Sequence, residues 1–190
     1  MSPPATPIAS LASLLRRFRR NRKGAAALEF ALIAPVFLAL LFAILETAMM
    51  FFASQVLETV TQESARLILT GQAQNSNFDK AAFQTYVCNQ IPALFSCNKM
   101  SVDVESYPSF SAITFNNRID ATGKFDSSGM QFSPGGAGCT VVVQVYYPWQ
   151  LFVTGLGYNI SNLANSQRLL IATAAFKNEP YPGGSLPACS

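Results

Sequence analysis

The sequence predicts an α+β chain: a long N-terminal transmembrane helix that continues into a small domain with a mainly antiparallel sheet. Three observations carry this expectation. An uncharged run at 30–45 follows closely on six clustered cations. Helical patterning persists beyond that run to Gly71. The C-terminal half then sets short apolar, strand-like blocks between stretches rich in glycine, proline and polar residues.

The chain has 190 residues, room for one span and one modest domain. Half of its residues are hydrophobic and 12% are charged, where an average soluble protein has about 25% charged. The net charge of +3 is a poor guide to partners. Six of the 13 Lys and Arg lie within 16–23, and the rest of the chain holds seven cations against ten acids. The basic cluster reads as a topology signal, and no basic face remains to bind nucleic acid.

Residues 30–45 carry no charge, Glu46 interrupts, and 47–57 are again uncharged. As a helix, 25–53 would extend about 43 Å, more than a hydrocarbon core of about 30 Å. The stretch is too long for a signal-peptide core, and no small-x-small cleavage motif with a polar break follows it. The positive-inside rule places 16–23 in the cytoplasm and the C-terminal part outside, which in a bacterium means an inner-membrane protein with a periplasmic domain. Residues 1–13, with prolines at 3, 4 and 7, are expected to be a disordered leader. Pro35 is expected to loosen one turn of the span. Glu46, about 25 Å along the helix from Glu29, is expected to reach the outer headgroup region.

Beyond the span, Val56, Val60 and Leu67, with Leu57, Ala65 and Ile68, form an apolar stripe, while Glu58, Gln62, Glu63 and Arg66 lie mostly elsewhere. One helix is therefore expected from about residue 25 to 70, ending at Gly71. The organisation is a basic leader at 1–24, a transmembrane helix at 25–53, a juxtamembrane helix at 54–71 and a periplasmic α+β domain at 72–190. Within the last, 80–90 reads as a short helix, 101–107 as a strand with Asp103 and Glu105 on a solvated face, and 113–115 as a weaker strand. Residues 122–138 read as a long surface loop. Residues 140–147 read as a central strand ended by Pro148, 158–167 as a loop or short helix, and 169–176 as the last strand.

Cys88, Cys97, Cys139 and Cys189 all lie beyond the span, and none forms a CxxC pair. With no histidine in the chain, a structural zinc is not expected. An even count outside the cytoplasm favours disulfides over free thiols. Three pairings exist; Cys88–Cys97 with Cys139–Cys189 is preferred, because the first closes a short loop.

The absence of histidine excludes Ser-His-Asp and Cys-His chemistry. The phosphate-cradling glycine patterns are also missing; the glycine-rich 133–138 lacks the lysine and reads as a turn. Asp103 with Glu105, and Asp120 with Asp126, are carboxylate pairs of the kind glycosidases use, but strand alternation makes the first a solvated face. Phe110, Phe115, Tyr146, Tyr147 and Trp149 are expected to pack rather than to form a sugar platform. No enzyme activity, cofactor, metal or small-molecule substrate is expected.

The junction between leader and span is the most specific feature. Arg and Lys at 16–23 are followed by Gly24-Ala25-Ala26-Ala27-Leu28-Glu29-Phe30. Cleavage after Gly24 would make Glu29 the fifth residue of the shortened chain. This arrangement resembles the processing site of type IV prepilins, which implies Gly24 and Ala25 as the cut. It also implies Glu29 as the carboxylate that sets subunit register by pairing with a neighbour's new amino terminus. Residues 24–35 further resemble the opening of TadE-like proteins, of the TadE/TadG group of tight-adherence (Flp-type) pilus systems, and Ile44-Leu45-Glu46 the second half of that short domain. Ser133-Pro134-Gly135-Gly136, the block 141–149 and the ending 172–181 are similar to members of the same group. The resemblance implies a pilin-like, membrane-anchored pseudopilin or minor pilin. Its partners would be the inner membrane, a prepilin peptidase, other pilins or pseudopilins and the pilus assembly platform. The rival reading of the same residues is an uncleaved single-pass periplasmic scaffold or ligand-binding subunit of an envelope complex; a glycan-binding adhesin tip is a third.

Overall fold

Helix α1, Ala25–Leu69, runs through two compact units, residues 1–44 and 45–190. The computed structural model describes residues 24–91, 93–153, 158–181 and 189, so the basic cluster and the leader lie outside the described residues. In the first unit the helix is apolar and exposed: Phe30, Leu32 and Ile33 are each at least two-thirds open. Its most apolar stretch has a mean hydropathy of 2.6 and no buried residue, which by length and composition suits a single membrane crossing. The helix continues through Pro35, where the missing amide leaves the Ala31 carbonyl without its usual intrahelical donor.

In the second unit the same helix buries one stripe, with Met50, Ala53, Leu57, Val60, Ser64 and Ile68 at spacings of three or four. The stripe differs from the expected one: Val56 and Leu67 are only half-buried, and small polar residues take their place. Thr61 enters because its hydroxyl donates to the Leu57 carbonyl at 2.7 Å, and Ser64 because its hydroxyl accepts from Gln90 Nε2 at 3.4 Å. The helix stops at Gly71, whose φ of +74° and whose closeness to Tyr181 both require glycine: a Cβ there would sit 2.4 Å from the ring. The Glu179 amide donates to the Leu69 carbonyl at 3.0 Å, so the chain leaving the sheet caps the helix end. A single turn, α2 (Gln72–Asn75), follows. Helix α3 (Lys80–Gln90) begins where Asp79 accepts the Ala82 amide at 2.7 Å and buries Phe83 and Val87.

The sheet has three antiparallel strands in the order β1 (Ser101–Tyr107), β2 (Thr140–Gln150), β3 (Gln167–Lys177). One face, carrying Val102, Val104, Val141, Val143 and Val145, joins the helix stripe in the main core. Strand β2 runs past Pro148 instead of ending there. Beyond Tyr146 it has no β1 partner, so that side of β2 is an edge, and Pro148 still pairs in register with Leu169 of β3. Residues 113–115 form no strand; the β1 edge is met instead by 131–133, where the Val104 amide donates to Gln131 and the Ser133 amide to Val104 at 2.9 and 2.8 Å. Residues 158–167 hold no helix, only turns and a bridge between Leu163 and Gln167.

The second face of the sheet is covered over β1 and β2, while Ile171, Thr173 and Ala175 of β3 stay exposed, and the cover overturns the reading of Asp103. Segment 113–139 folds across that face, packing Ile119, Phe125 and Met130 with Tyr146, Leu163 and Leu169. Under that cover Asp103 is 3% exposed and bonds to Arg118, itself 9% exposed, while its other oxygen accepts the Gln131 amide at 2.9 Å. Arg118 also donates to the Ser128 carbonyl at 2.9 Å. Burial acts to lower the Arg118 pKa, but the Asp103 charge and hydrogen bonds outweigh it and hold the guanidinium above its ordinary value. The surface loop expected at 122–138 is irregular and largely exposed as read, and together with the residues before it covers part of that face of the sheet, held by a buried ion pair. At its exposed tip, Asp120 accepts from the Lys124 amide, the Thr122 hydroxyl and the Thr122 amide, and these bonds lower its pKa.

Two disulfides fasten the ends of the fold. Cys88–Cys97 ties the last turn of α3 to the single-turn 3-10 helix Cys97–Lys99, and Cys139–Cys189 ties the C-terminal stretch to the residue before β2.

Arg118→Ala strands the Asp103 carboxylate beneath segment 113–139 and is expected to cost about 3–5 kcal/mol, the range for breaking a buried pair. The joint change Asp103→Leu with Arg118→Met should cost less, because it leaves no lone charge. Denaturant midpoints of the detergent-solubilised chain measure both. For Asp120 the lowered pKa means that its bonds stabilise the turn above the ordinary carboxylate pKa of about 4, a contribution lost as pH falls through the depressed value. Amide exchange at Thr122 and Lys124 should accelerate over that window, and be insensitive to pH there in Asp120→Asn once corrected for intrinsic rates.

Candidate processing and assembly site

Gly24, Ala25 and Glu29 lie together at the amino end of α1. Gly24 is exposed and immediately precedes the helix, and Ala25 is its first residue. Glu29, four residues on and exposed, falls one turn later on the same face as Ala25. The end of a helix presents amides with no intrahelical acceptor and the positive pole of its dipole. An α-amino group on Ala25 would add a full charge to that pole. Around it Leu28, Phe30 and Leu32 are more than half exposed, so the only nearby carboxylate on the apolar stretch 25–45 is Glu29.

Gly24 carries a second message. A Cβ built at this position meets nothing within 4 Å. At Gly71 the fold itself demands glycine; at Gly24 it makes no such demand. Among the described residues nothing packs against Gly24.

Glu46, expected at the outer headgroup region, has partners within the domain. It is 8% exposed, and its two carboxylate oxygens accept successive backbone amides, Oε1 from Phe152 and Oε2 from Val153, the second at 3.0 Å. The adjacent Thr47 hydroxyl is hydrogen-bonded to the Tyr158 hydroxyl. The clue in the sequence is phase: Glu46 precedes Met50, Ala53 and Leu57 by four, seven and eleven residues and so belongs to the buried stripe.

The remaining carboxylates considered for chemistry are engaged structurally. Asp103 is bonded to Arg118, Glu105 accepts the Tyr107 hydroxyl, and Asp126 accepts the Ser128 amide at 2.8 Å. Among the described residues no group of three His, Cys, Asp or Glu side chains is placed to hold a metal ion. The four cysteines are all in disulfides in the second unit, apart from the junction.

Compared with known proteins, residues 24–66 match the family described as TadE-like protein. That match begins at Gly24 and covers Ala25, Glu29 and Glu46; the similarities noted at 133–181 lie outside it. No curated protein and no solved structure matches the chain.

Proposed function

We propose, taking as premise that this chain is a TadE-like protein over residues 24–66, that it is a membrane-anchored pseudopilin or minor pilin. The family points to tight-adherence pilus assembly; the finer role rests on the junction. The observation that carries it is Gly24 itself, a glycine that its own fold does not require, set at the exposed start of the apolar helix and five residues before the carboxylate of Glu29.

The proposed sequence of events starts with the basic cluster at 16–23, which fixes the leader on the cytoplasmic side of the inner membrane and leaves the sheet domain in the periplasm. A prepilin peptidase then adds water across the Gly24–Ala25 peptide bond, leaving a carboxylate on Gly24 and an ammonium on Ala25. Ammonium and carboxylate are each costly in an apolar helix bundle and tolerable as a pair. Pairing Glu29 of one subunit with Ala25 of a neighbour therefore fixes the axial offset between helices. The chain works as a structural subunit, and we assign it no catalysis.

Mass spectrometry of the chain extracted from membranes that contain the peptidase is expected to find Ala25 as the first residue, with all four cysteines resistant to alkylation until reduced. An intact leader removes the processing step and leaves the uncleaved scaffold reading. Gly24→Leu is expected to block trimming by more than tenfold. Glu29→Ala should be trimmed normally yet abolish piliation, scored by electron microscopy of complemented deletion cells. Wild-type pilus numbers in Glu29→Ala would refute the register role.

A further inference from the structure

Two neighbouring residues of α1, Glu46 and Thr47, hold three residues that lie beyond β2 in the chain: Phe152, Val153 and Tyr158. Glu46 takes the amides of Phe152 and Val153, and Thr47 pairs with Tyr158. Counted from Ala25, the residues before Glu46 form about 31 Å of helix, which equals a hydrocarbon core of about 30 Å. Glu46 and Thr47 therefore fall at the boundary where the bilayer ends on the domain's side. Whatever they hold is held at that depth.

The held residues are suited to that depth: Phe152, Val153 and Tyr158 are all uncharged. Phe152 is 86% exposed, the most open of the large apolar side chains in the chain's described residues. On the helix that holds it, Leu45, Met49 and Phe52, at the same level as Glu46 and Thr47 or within two turns of it, follow one another at spacings of four and three and are each about half exposed. A phenylalanine presented this openly to water would be an apolar liability; presented to the acyl boundary it gains burial. Aromatic residues such as Phe152 and Tyr158 favour that zone, tyrosine because its ring is apolar and its hydroxyl is not.

The role of Glu46 then has a physical reason. Where water is scarce, an unpaired backbone amide is expensive. A loop entering the interface exposes the amides of Phe152 and Val153 to that cost, and one carboxylate with two oxygens satisfies both. The charge stays at the boundary, and the amides neutralise much of its cost.

We propose that Phe152, Val153 and Tyr158, with Leu45, Met49 and Phe52, form a second membrane contact that seats the domain on the bilayer surface, and that Glu46 is the positioning residue for it. This inference rests on the single-span anchoring of the chain and not on its trimming or its place in a pilus.

The test uses the full chain in phosphatidylcholine vesicles that contain lipids brominated near the top and lipids brominated near the end of the acyl chain, so that both the boundary and the middle of the bilayer carry quencher. Trp149 is the only tryptophan, so Trp149→Phe supplies a dark background into which single reporters are placed. Phe37→Trp reports the span, Phe152→Trp the loop, and Phe115→Trp an exposed aromatic on a distant loop. The expected result is that brominated lipid cuts Phe37→Trp and Phe152→Trp emission by half or more and leaves Phe115→Trp unchanged, with aqueous acrylamide giving the reverse order. A dark Phe37→Trp with a bright Phe152→Trp overturns the loop contact while the anchor stands. An unquenched Phe37→Trp overturns the anchor and the contact with it, and equal quenching of Phe115→Trp overturns the contact in favour of general adsorption. In the Phe152→Trp reporter, Glu46→Ala is expected to lose most of the lipid quenching and Glu46→Gln, which keeps one acceptor oxygen, to restore part of it. Unchanged quenching in Glu46→Ala overturns the positioning role.

Discussion

Everything in this protein is arranged around a helix that changes solvent partway along. Up to Leu45 the sequence of α1 is apolar on every side, with Glu29 the lone exception after Gly24, as a segment surrounded by hydrocarbon has to be. From Glu46 onward one stripe enters the domain core, and the remaining faces turn increasingly polar, with Glu58, Gln62, Glu63 and Arg66 outside. The transition is set by side-chain chemistry alone, because the backbone hydrogen bonding is the same in both stretches. The domain has to supply a core for one face only, and a three-stranded sheet with Val102, Val104, Val141, Val143 and Val145 on its inner side is sufficient. Such a small sheet is marginal by itself. The helix is therefore as much a part of the domain as of the anchor.

The sheet's other face explains the rest of the architecture. A three-stranded sheet covered on one side leaves strongly β-forming residues such as Tyr146 and Leu169 in need of cover. The long irregular segment between β1 and β2 provides it. That segment is short of apolar residues, so the cover is fixed by polarity: the Asp103–Arg118 pair, the Gln131 amide on Asp103 and the Lys80 ammonium on the Met130 carbonyl at 2.7 Å. Pairs of this sort add little net stability compared with apolar packing but tolerate few alternatives. They fix where a loop of low hydrophobicity lies.

The elements with a strong period were legible from the amino acids: the long helix, the helix over 80–90, and the strands over 101–107, 140–147 and 169–176. Their partners were legible only in part. Asp103 alternates with Val102 and Val104 as a solvated residue would, and nothing local announces that Arg118, fifteen residues on and in no regular element, returns to cover it. Pro148 is read as a stop because most interior strands would be stopped by it; it is tolerated since β1 has already ended at that level. The partners of Glu46 are hidden for a related reason. Its neighbours in sequence are lipid-like, whereas its partners, the Phe152 and Val153 amides, are more than a hundred residues away. At the junction the opposite holds. Gly24, Ala25 and Glu29 form a linear motif whose meaning depends on spacing, so the sequence carries it whole and the fold adds chiefly that Gly24 is under no steric constraint.

The bond between Cys139 and Cys189 spans 50 residues, including all of β2 and β3. In mechanical terms it converts the C-terminal quarter of the chain into a covalent ring. A pull applied at the far terminus crosses that bond directly into Cys139, at the root of the central strand, and the residues between carry none of the load. Under such a load β2 and β3 lie off the path of the force, and β3, an outer strand of the sheet, is shielded from being peeled away.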